Sequence, residues 1–291
     1  MSRVEFEDVK RANLFVPGTD LCPGCGANLV FRYAINTLGK NTVSIFAAGC
    51  GAMLGRRAIT PGMMSLLENP AAPACGLKAG LDIKGKEMNV LCIIGDGGTD
   101  MGIGGVAAAA ERGDPIIYIC YDNEAYMNTG IQRSGRTSYG AWTTFTPGGK
   151  ERPPKDIPRM IADAGAAYVA TASIAYINDY IKKVKKAEEV TKNDEGMAYI
   201  HVQSPCPTGW RYPTNLTVKV AKHAVQSGLW NLYEIYKGKL RFTVKMKERI
   251  PVGEYVKLQG RFGHLKDEQI ELLQKYADEK YRELELMESK E

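Results

Sequence analysis

Apolar residues fall along this chain in recognisable rhythms. Residues 88–94 (MNVLCII) and 116–121 (IIYICY) are apolar without interruption and bounded by polar positions. That is the pattern of strands buried on both faces of a parallel sheet. Between them, residues 102–112 are small and alanine-rich, which suits a helix lying close on that sheet. Strand, helix and strand in so short a span read as a right-handed βαβ unit. The same alternation predicts helices over 27–38, ended by Gly39, and over 77–83, 159–164 and 177–191, with strands over 42–48, 168–172 and 197–203. Four or five parallel strands with helices between them make a doubly wound, mostly parallel α/β sheet, whose ligands sit beyond the carboxyl ends of the strands.

The remaining stretches show neither period. Residues 1–25, broken by Pro17, Gly18, Pro23 and Gly24, are expected to be irregular. Residues 49–75, rich in Gly, Pro and Met, read as a loop that lines a site, and 123–158 as a polar, aromatic loop. Beyond Val218 the character changes. The segment 232–245 (LYEIYKGKLRFTVK) predicts a hairpin turning at Lys237-Gly238, and 266–291 a strongly charged helix. The expected organisation is a ligand-binding unit over 1–217 and an extension over 218–291 that contacts another subunit.

Composition narrows the function. With 44% hydrophobic and 24% charged residues the chain is a globule with a sizeable core, neither disordered nor fibrous. Lys and Arg number 38 against 33 Asp and Glu, and the resulting +5 is dispersed apart from Lys182, Lys183, Lys185 and Lys186 at helical spacing. Nucleic acid is therefore a poor partner. No window reaches the ~18 apolar residues of a membrane span, and the charged opening residues lead us to expect a cytoplasmic protein. Seven cysteines, an odd number, argue against a disulfide framework and for metal or redox chemistry.

Two constellations carry that chemistry. Gly95-Asp96-Gly97-Gly98-Thr99 follows the first buried strand and Asp122-Asn123-Glu124 follows the next, so both lie at carboxyl ends of adjacent strands. A Gly-Asp-Gly alone is a tight turn. Joined to Asn123, it reads as a diphosphate site bridged by Mg²⁺, with Asp96 and Asn123 offering oxygens and backbone N–H groups near Gly97 and Gly98 facing phosphate. The second constellation is Cys22-x-x-Cys25 with Cys50 and Cys206, each in a loop at a strand end. A redox pair would leave Cys50 and Cys206 idle, while structural zinc and a [4Fe-4S] cluster both remain open. Cys92 and Cys120 read as core, Cys75 as packing. His201 lies within an apolar strand and reads as a core or site-lining residue. Arg133, Arg136, Tyr139 and Trp142 are expected to wall the site or a subunit interface.

These residues resemble a known family. Gly95-Asp96-Gly97 with Asp122-Asn123 is similar to the thiamine diphosphate motif, and residues 121–135 (YDNEAYMNTGIQRSG) closely resemble the β subunits of pyruvate:ferredoxin (2-oxoacid:ferredoxin) oxidoreductases. The likeness runs from about 21 to 233 and includes 22–26 (CPGCG) and 205–210 (PCPTGW); it departs in 68–75, where Pro73 and Cys75 replace small residues. It implies the thiamine diphosphate-binding fold, with Gly95, Asp96, Gly97, Gly98, Asn123, Ala125, Asn128 and Thr129 at the cofactor. Asp96, Asn123 and the Ala125 carbonyl would hold Mg²⁺, Asn128 would stand at the reactive end, and Cys22, Cys25, Cys50 and Cys206 would hold a [4Fe-4S] cluster. The implied reaction is oxidative decarboxylation of a 2-oxoacid, pyruvate first and 2-oxoisovalerate, oxalate or phenylglyoxylate behind it, with coenzyme A as acyl acceptor and ferredoxin as electron sink. A non-redox thiamine diphosphate enzyme or a zinc-stabilised binding module are the alternatives. The implied partners are ferredoxin-like and γ-type subunits and an α-type subunit, whose glutamate activates the aminopyrimidine. Residues 204–291 are too few for the second domain of about 150 residues that would supply that glutamate.

Overall fold

The two uninterrupted apolar runs form the middle of one eight-stranded sheet. A computed structural model describes residues 3–289; the first two residues of the stretch expected to be irregular and the last two of the charged helix lie outside them. The first half contains α1 (Arg3–Arg11), α2 (Ala27–Leu38), β1 (Thr42–Ala47), α3 (Cys50–Gly55), β2 (Gly62–Ser65), α4 (Ala71–Ile83), β3 (Asn89–Gly95), α5 (Asp96–Met101), α6 (Ile103–Glu111) and β4 (Ile117–Asp122). A small ribbon of β5 (Ala125–Tyr126) and β6 (Gln132–Arg133) follows, then α7 (Ile157–Asp163), β7 (Tyr168–Ser173), α8 (Ile177–Lys192) and β8 (Ala198–Gln203). The chain ends with α9 (Pro207–Trp210), α10 (Thr217–Gln226), β9 (Leu232–Tyr236), β10 (Lys239–Val244), α11 (Val252–Val256) and α12 (Asp267–Ser289).

The sheet order is β10-β9-β7-β8-β4-β3-β1-β2, parallel from β7 to β2 and antiparallel where β9 meets β7 and β10. Burial explains why β3 shows no alternation. Leu91 and Ile93 pack with Val30 and Phe31 of α2 and Val184 of α8 on one face. Val90, Cys92 and Ile94 pack with Ala74 of α4, Val106 and Ala109 of α6 and Ile161 of α7 on the other. Both faces demand apolar side chains, so the polar half of the usual period-2 pattern is missing. Cys92 and Cys120 are buried core residues, as expected. No helix among the described residues is long and apolar enough to cross a membrane.

Two expectations are corrected. The stretch 49–75 is not one loop: it holds α3, β2 and the start of α4, which begins at Ala71 with Pro73 in its first turn, where a missing N–H breaks no helical bond. Strand β2 pairs in parallel with β1 at the sheet edge and leaves Met63 and Met64 exposed, so it carries no alternation to detect. Within 1–25, α1 is helical; the chain after it is held by the Asn36 side chain, which donates to Ala12 O (2.6 Å) and accepts from Leu14 N (3.2 Å). The predicted hairpin forms, with Lys237 and Gly238 at φ 52° and 77°, the two positive values of a type I′ turn. It extends the main sheet through β9 against β7.

The charged helix α12 buries Leu273, Ala277, Tyr281 and Leu284, one stripe at helical spacing, against its own chain. Its Lys280 pairs with Asp156 at 2.6 Å, and Asp156 also caps α7 by accepting from Arg159 N. Burial opposes the Asp156 charge, but Lys280 outweighs it and holds the carboxyl below its usual value. A depressed acid stabilises the fold above its unfolded pKa of about 3.9 and loses that contribution as pH falls through the lower folded value. Lys280→Met should therefore unfold at lower urea than the parent protein at pH 6, and the gap should close on titration below pH ~4. A gap that stays constant to pH 2 would show that the pair does not anchor the helix.

Candidate functional site

Strands β8, β4, β3 and β1 are neighbours and parallel, so the residues following each of them gather along one sheet edge. Asp96 opens α5 directly after β3, is 0% exposed, and accepts from Asn123 N at 3.2 Å and Ser134 Oγ at 2.6 Å. Among the described residues its carboxylate makes no ion pair. Burial, and then the adjacent Asp122 charge, push its pKa well above the usual carboxylate range. The Asn123 amide oxygen, as placed, faces Asp96 Oδ1 at 3.1 Å and the Ala125 carbonyl oxygen at 2.9 Å, and turning the amide over would make both contacts hydrogen bonds. Three oxygens of this kind, one anionic, are also the donor set a hard cation takes.

Asp122 has its own compensation. Its carboxylate accepts from Arg136 Nε at 2.7 Å, from His201 Nε2 at 2.8 Å and from Glu124 N at 2.9 Å. Burial raises its pKa, but Arg136 and then His201 outweigh burial and hold it low. Burial lowers the pKa of His201, leaving the neutral imidazole to donate through Nε2 to Asp122 and to accept at Nδ1 from Tyr199 Oη at 2.6 Å. His201 is thus a satisfied, buried residue lining the site.

The glycines have steric reasons to be there. A Cβ on Gly97 would lie 2.6 Å from the Tyr126 ring, and one on Gly98 would lie 2.7 Å from the Leu67 carbonyl oxygen. Gly95 packs at 3.3 Å from the Tyr121 ring by the same measure. Thr129 is exposed and its hydroxyl donates to Gln132 Oε1 at 2.6 Å. Asn128 lies beside the loop after β1, where a Cβ on Gly49 would be 3.7 Å from the Asn128 Cβ.

The four loop cysteines come together. Cys22 and Cys25 share one turn, closed by Cys25 N donating to Cys22 O, while Cys50 opens α3 and Cys206 caps α9 by accepting from Gly209 N. Burial raises Cys25 to about 12 and Cys206 to about 11, and the other loop thiols add to both shifts. Burial raises Cys50 as well. The loop thiols thus disfavour one another's negative charge. Among the described residues, no three His, Cys, Asp or Glu side chains converge closely enough to hold a single metal ion. Cys75 is half-buried against the α4, α6 and β3 core and bonded to Asp114, apart from the four.

Several residues at the site were not found from sequence. Glu124 has φ 62° and pairs with Arg261 at 2.7 Å; Trp210 Nε1 donates to Asn123 O at 2.8 Å; Ser134 bonds Asp96. Of the expected wall residues, Arg136 is buried against Asp122, whereas Trp142 stacks under Arg211 at 3.5 Å. The adjacency of Glu124 to Asn123 was the one visible signal, since Arg261 lies far along the chain.

Comparison with known proteins agrees with this geometry. Residues 39–202 match the family described as "Thiamine pyrophosphate enzyme, C-terminal TPP binding domain". The pyruvate synthase subunit PorB of Methanothermobacter marburgensis is 45% identical, over 95% of this chain and 99% of its own. The ketoisovalerate oxidoreductase subunit VorB of Pyrococcus abyssi is 39% identical over 96% of each chain. A solved 2-oxoglutarate:ferredoxin oxidoreductase from Magnetococcus marinus shares the fold, with a TM-score of 0.58 at 23% identity over 72% of this chain and 79% of that one. Relatives of this identity, matched over almost their whole length, make the chain a member of the 2-oxoacid:ferredoxin oxidoreductase β-subunit family, and so one subunit of a heteromeric, thiamine diphosphate-dependent oxidoreductase.

Proposed function

We propose that this β subunit acts on pyruvate, binding thiamine diphosphate through Mg²⁺ and passing electrons to its own [4Fe-4S] cluster. The observation that carries the reading is the convergence of the Asp96 carboxylate, the Asn123 amide oxygen and the Ala125 carbonyl at one buried point. Thiamine diphosphate, when bound, supplies an electron sink for the pair released as a 2-oxoacid loses carbon dioxide, and the cluster takes those electrons singly.

The chain's own residues do the rest. Asp96 supplies the negative charge for Mg²⁺, and Asn123 and Ala125 supply neutral oxygens. Gly95, Gly97 and Gly98 keep the start of α5 free of side chains, so that backbone N–H groups face the diphosphate. Thr129 contributes at the rim. Asn128, next to Cys50, stands at the reactive end between the cofactor and the thiols. Cys22, Cys25, Cys50 and Cys206 hold the cluster, a reading supported by the mutual electrostatic influence of these thiols and by membership of the family. Pyruvate is favoured because a pyruvate synthase subunit is matched at 45% identity and a ketoisovalerate subunit at 39%. Coenzyme A accepts the acyl group and ferredoxin the electrons, in the cytoplasm. An α-type subunit brings the glutamate that activates the aminopyrimidine, beside ferredoxin-like and γ-type subunits. Residues 218–291 form the extension that meets a partner, a role supported by the exposed Leu272 and Leu286 on the outside of α12.

Protein purified anaerobically should carry about four irons per chain. Cys50→Ser should lose iron and visible absorption, and Cys92→Ala should keep both; full iron in the Cys50 variant would overturn the ligand set. Asp96→Ala should abolish Mg²⁺-dependent thiamine diphosphate binding with the cluster intact, and Asn123→Ala should weaken it less, both read by calorimetry. The chain reconstituted alone should not reduce dye with pyruvate, and adding the α-type subunit should restore turnover; activity of the lone chain at about 1 s⁻¹ or more would refute the partner requirement.

A further inference from the structure

We propose that Arg261, in the C-terminal extension, is a positioning residue for the cation site: it holds Glu124 and thereby aims the Asn123 side chain and the Ala125 carbonyl at Asp96. The inference rests on the reading that these three residues bind a divalent cation.

The loop between Asp122 and Tyr126 does not hold its shape by itself. Glu124 lies at φ 62°, a conformation that residues with side chains rarely adopt and that persists only where the surroundings enforce it. Within the loop Glu124 N donates to Asp122 Oδ1 at 2.9 Å, and the side chain and carbonyl are held from outside it. The Glu124 carboxylate accepts from Arg261 Nη1 at 2.7 Å and from Ser138 N at 3.1 Å, and its carbonyl accepts from Thr137 Oγ1 at 2.6 Å. Arg261 is itself fixed, donating from Nε to Gln259 Oε1 at 2.9 Å and from Nη2 to Tyr255 Oη at 3.1 Å. Its guanidinium rests 3.7 Å from the Trp210 ring, and Trp210 Nε1 donates to the Asn123 carbonyl at 2.8 Å. One stacked pair thus grips the loop at two consecutive residues, on either side of the Asn123–Glu124 peptide bond.

Stability does not account for this pair. Arg261 is 2% exposed and Glu124 6%, and the cost of removing two charges from water offsets most of their attraction. What an ion pair with five-fold donor geometry supplies that an apolar pair cannot is a fixed place for the carboxylate. Mg²⁺ tolerates little error in ligand position, so a loop held this way binds it more tightly than the same oxygens on a relaxed loop. Residues 255–262 therefore complete the cation site, in addition to any contact that the extension makes with another subunit.

The test uses the assembled complex, purified anaerobically and depleted of cofactor, in four forms: parent, Glu124→Leu/Arg261→Met, Trp210→Phe and Asp96→Ala. The double variant replaces the buried ion pair by apolar side chains, which preserves packing while releasing the loop. Calorimetry measures the Mg²⁺ concentration for half-maximal thiamine diphosphate binding; thermal unfolding and visible absorption report fold and cluster. The double variant should need about 10- to 100-fold more Mg²⁺, with unfolding temperature and absorption close to the parent, and Trp210→Phe should shift the same way by less. A merely structural role would change the unfolding temperature and leave the Mg²⁺ dependence of the folded protein at the parent value, and that result overturns the proposal. Should the double variant fail to assemble, Trp210→Phe decides alone, and a parent-like Mg²⁺ dependence there also overturns it. Cofactor binding that survives in Asp96→Ala would instead remove the cation reading itself.

Discussion

A carboxylate buried without a cationic partner is the constraint around which this site is arranged. Asp96 is 0% exposed, stands beside Asp122, and receives only dipoles, from the Asn123 N–H and the Ser134 hydroxyl. Dipoles reduce the cost of a buried charge without cancelling it. The neighbouring Asp122 has its charge cancelled by Arg136 and oriented by His201. Two adjacent carboxylates are thereby sorted: one is ion-paired within the protein, and the other is left with burial and its neighbour disfavouring its charged form. Beside Asp96 lie the Asn123 side-chain amide, whose nitrogen when turned inward donates to both Asp96 Oδ1 and the Ala125 carbonyl, and that carbonyl itself. On the proposed function, turning the amide so that its oxygen faces the carboxylate gives three oxygens and one negative charge, the donor set of a hard cation.

The sheet decides where those groups lie. Because β1, β3, β4 and β8 are parallel and adjacent, the loops carrying Cys50, Asp96, Asn123 and Cys206 leave the same edge. Close packing then fixes them. A Cβ at Gly102 would lie 1.9 Å from the Glu68 carbonyl oxygen, and one at Gly98 2.7 Å from that of Leu67, so the chain between β2 and α4 lies directly on the α5–α6 junction. These glycines serve the approach of backbone to backbone first, and the open space for a diphosphate follows from it.

What could be read from the chain and what could not divide along physical lines. Strands β3 and β4 were legible because burial on both faces writes itself into consecutive residues, and the positions of Asp96, Asn123, Cys50 and Cys206 at strand ends could be read because each comes directly after a strand. The hairpin was legible from Lys237-Gly238, whose positive φ values few other residue pairs accept. Strand β2 was not, since an edge strand with exposed methionines carries no periodic pattern. Helix α1 was hidden for a different reason: it is nine residues long and the chain after it is tied down by Asn36, a contact from another helix. Local rules are silent on such ties. The Arg261–Glu124 pair is the extreme case, joining residues 137 positions apart through a conformation at Glu124 that its side chain does nothing to favour.

The same packing sets the spacing between the two halves of the site. Helix α9 is capped by Cys206 and ends at Trp210, so the fourth thiol and the indole that holds Asn123 belong to one turn of chain. A Cβ on Gly209 would lie 2.2 Å from Met127 Sδ, which puts that turn in direct contact with the loop carrying Asn128, and Asn128 in turn lies beside Gly49, next to Cys50. Interiors packed at this density resist changes of even one methylene. On the proposed function, electrons released at the cofactor cross to the cluster over a separation that the core holds constant, so the step does not wait for a domain to move. A binding module with no electrons to transfer would have no use for that rigidity, and the contact of Gly209 with Met127 would be free to loosen.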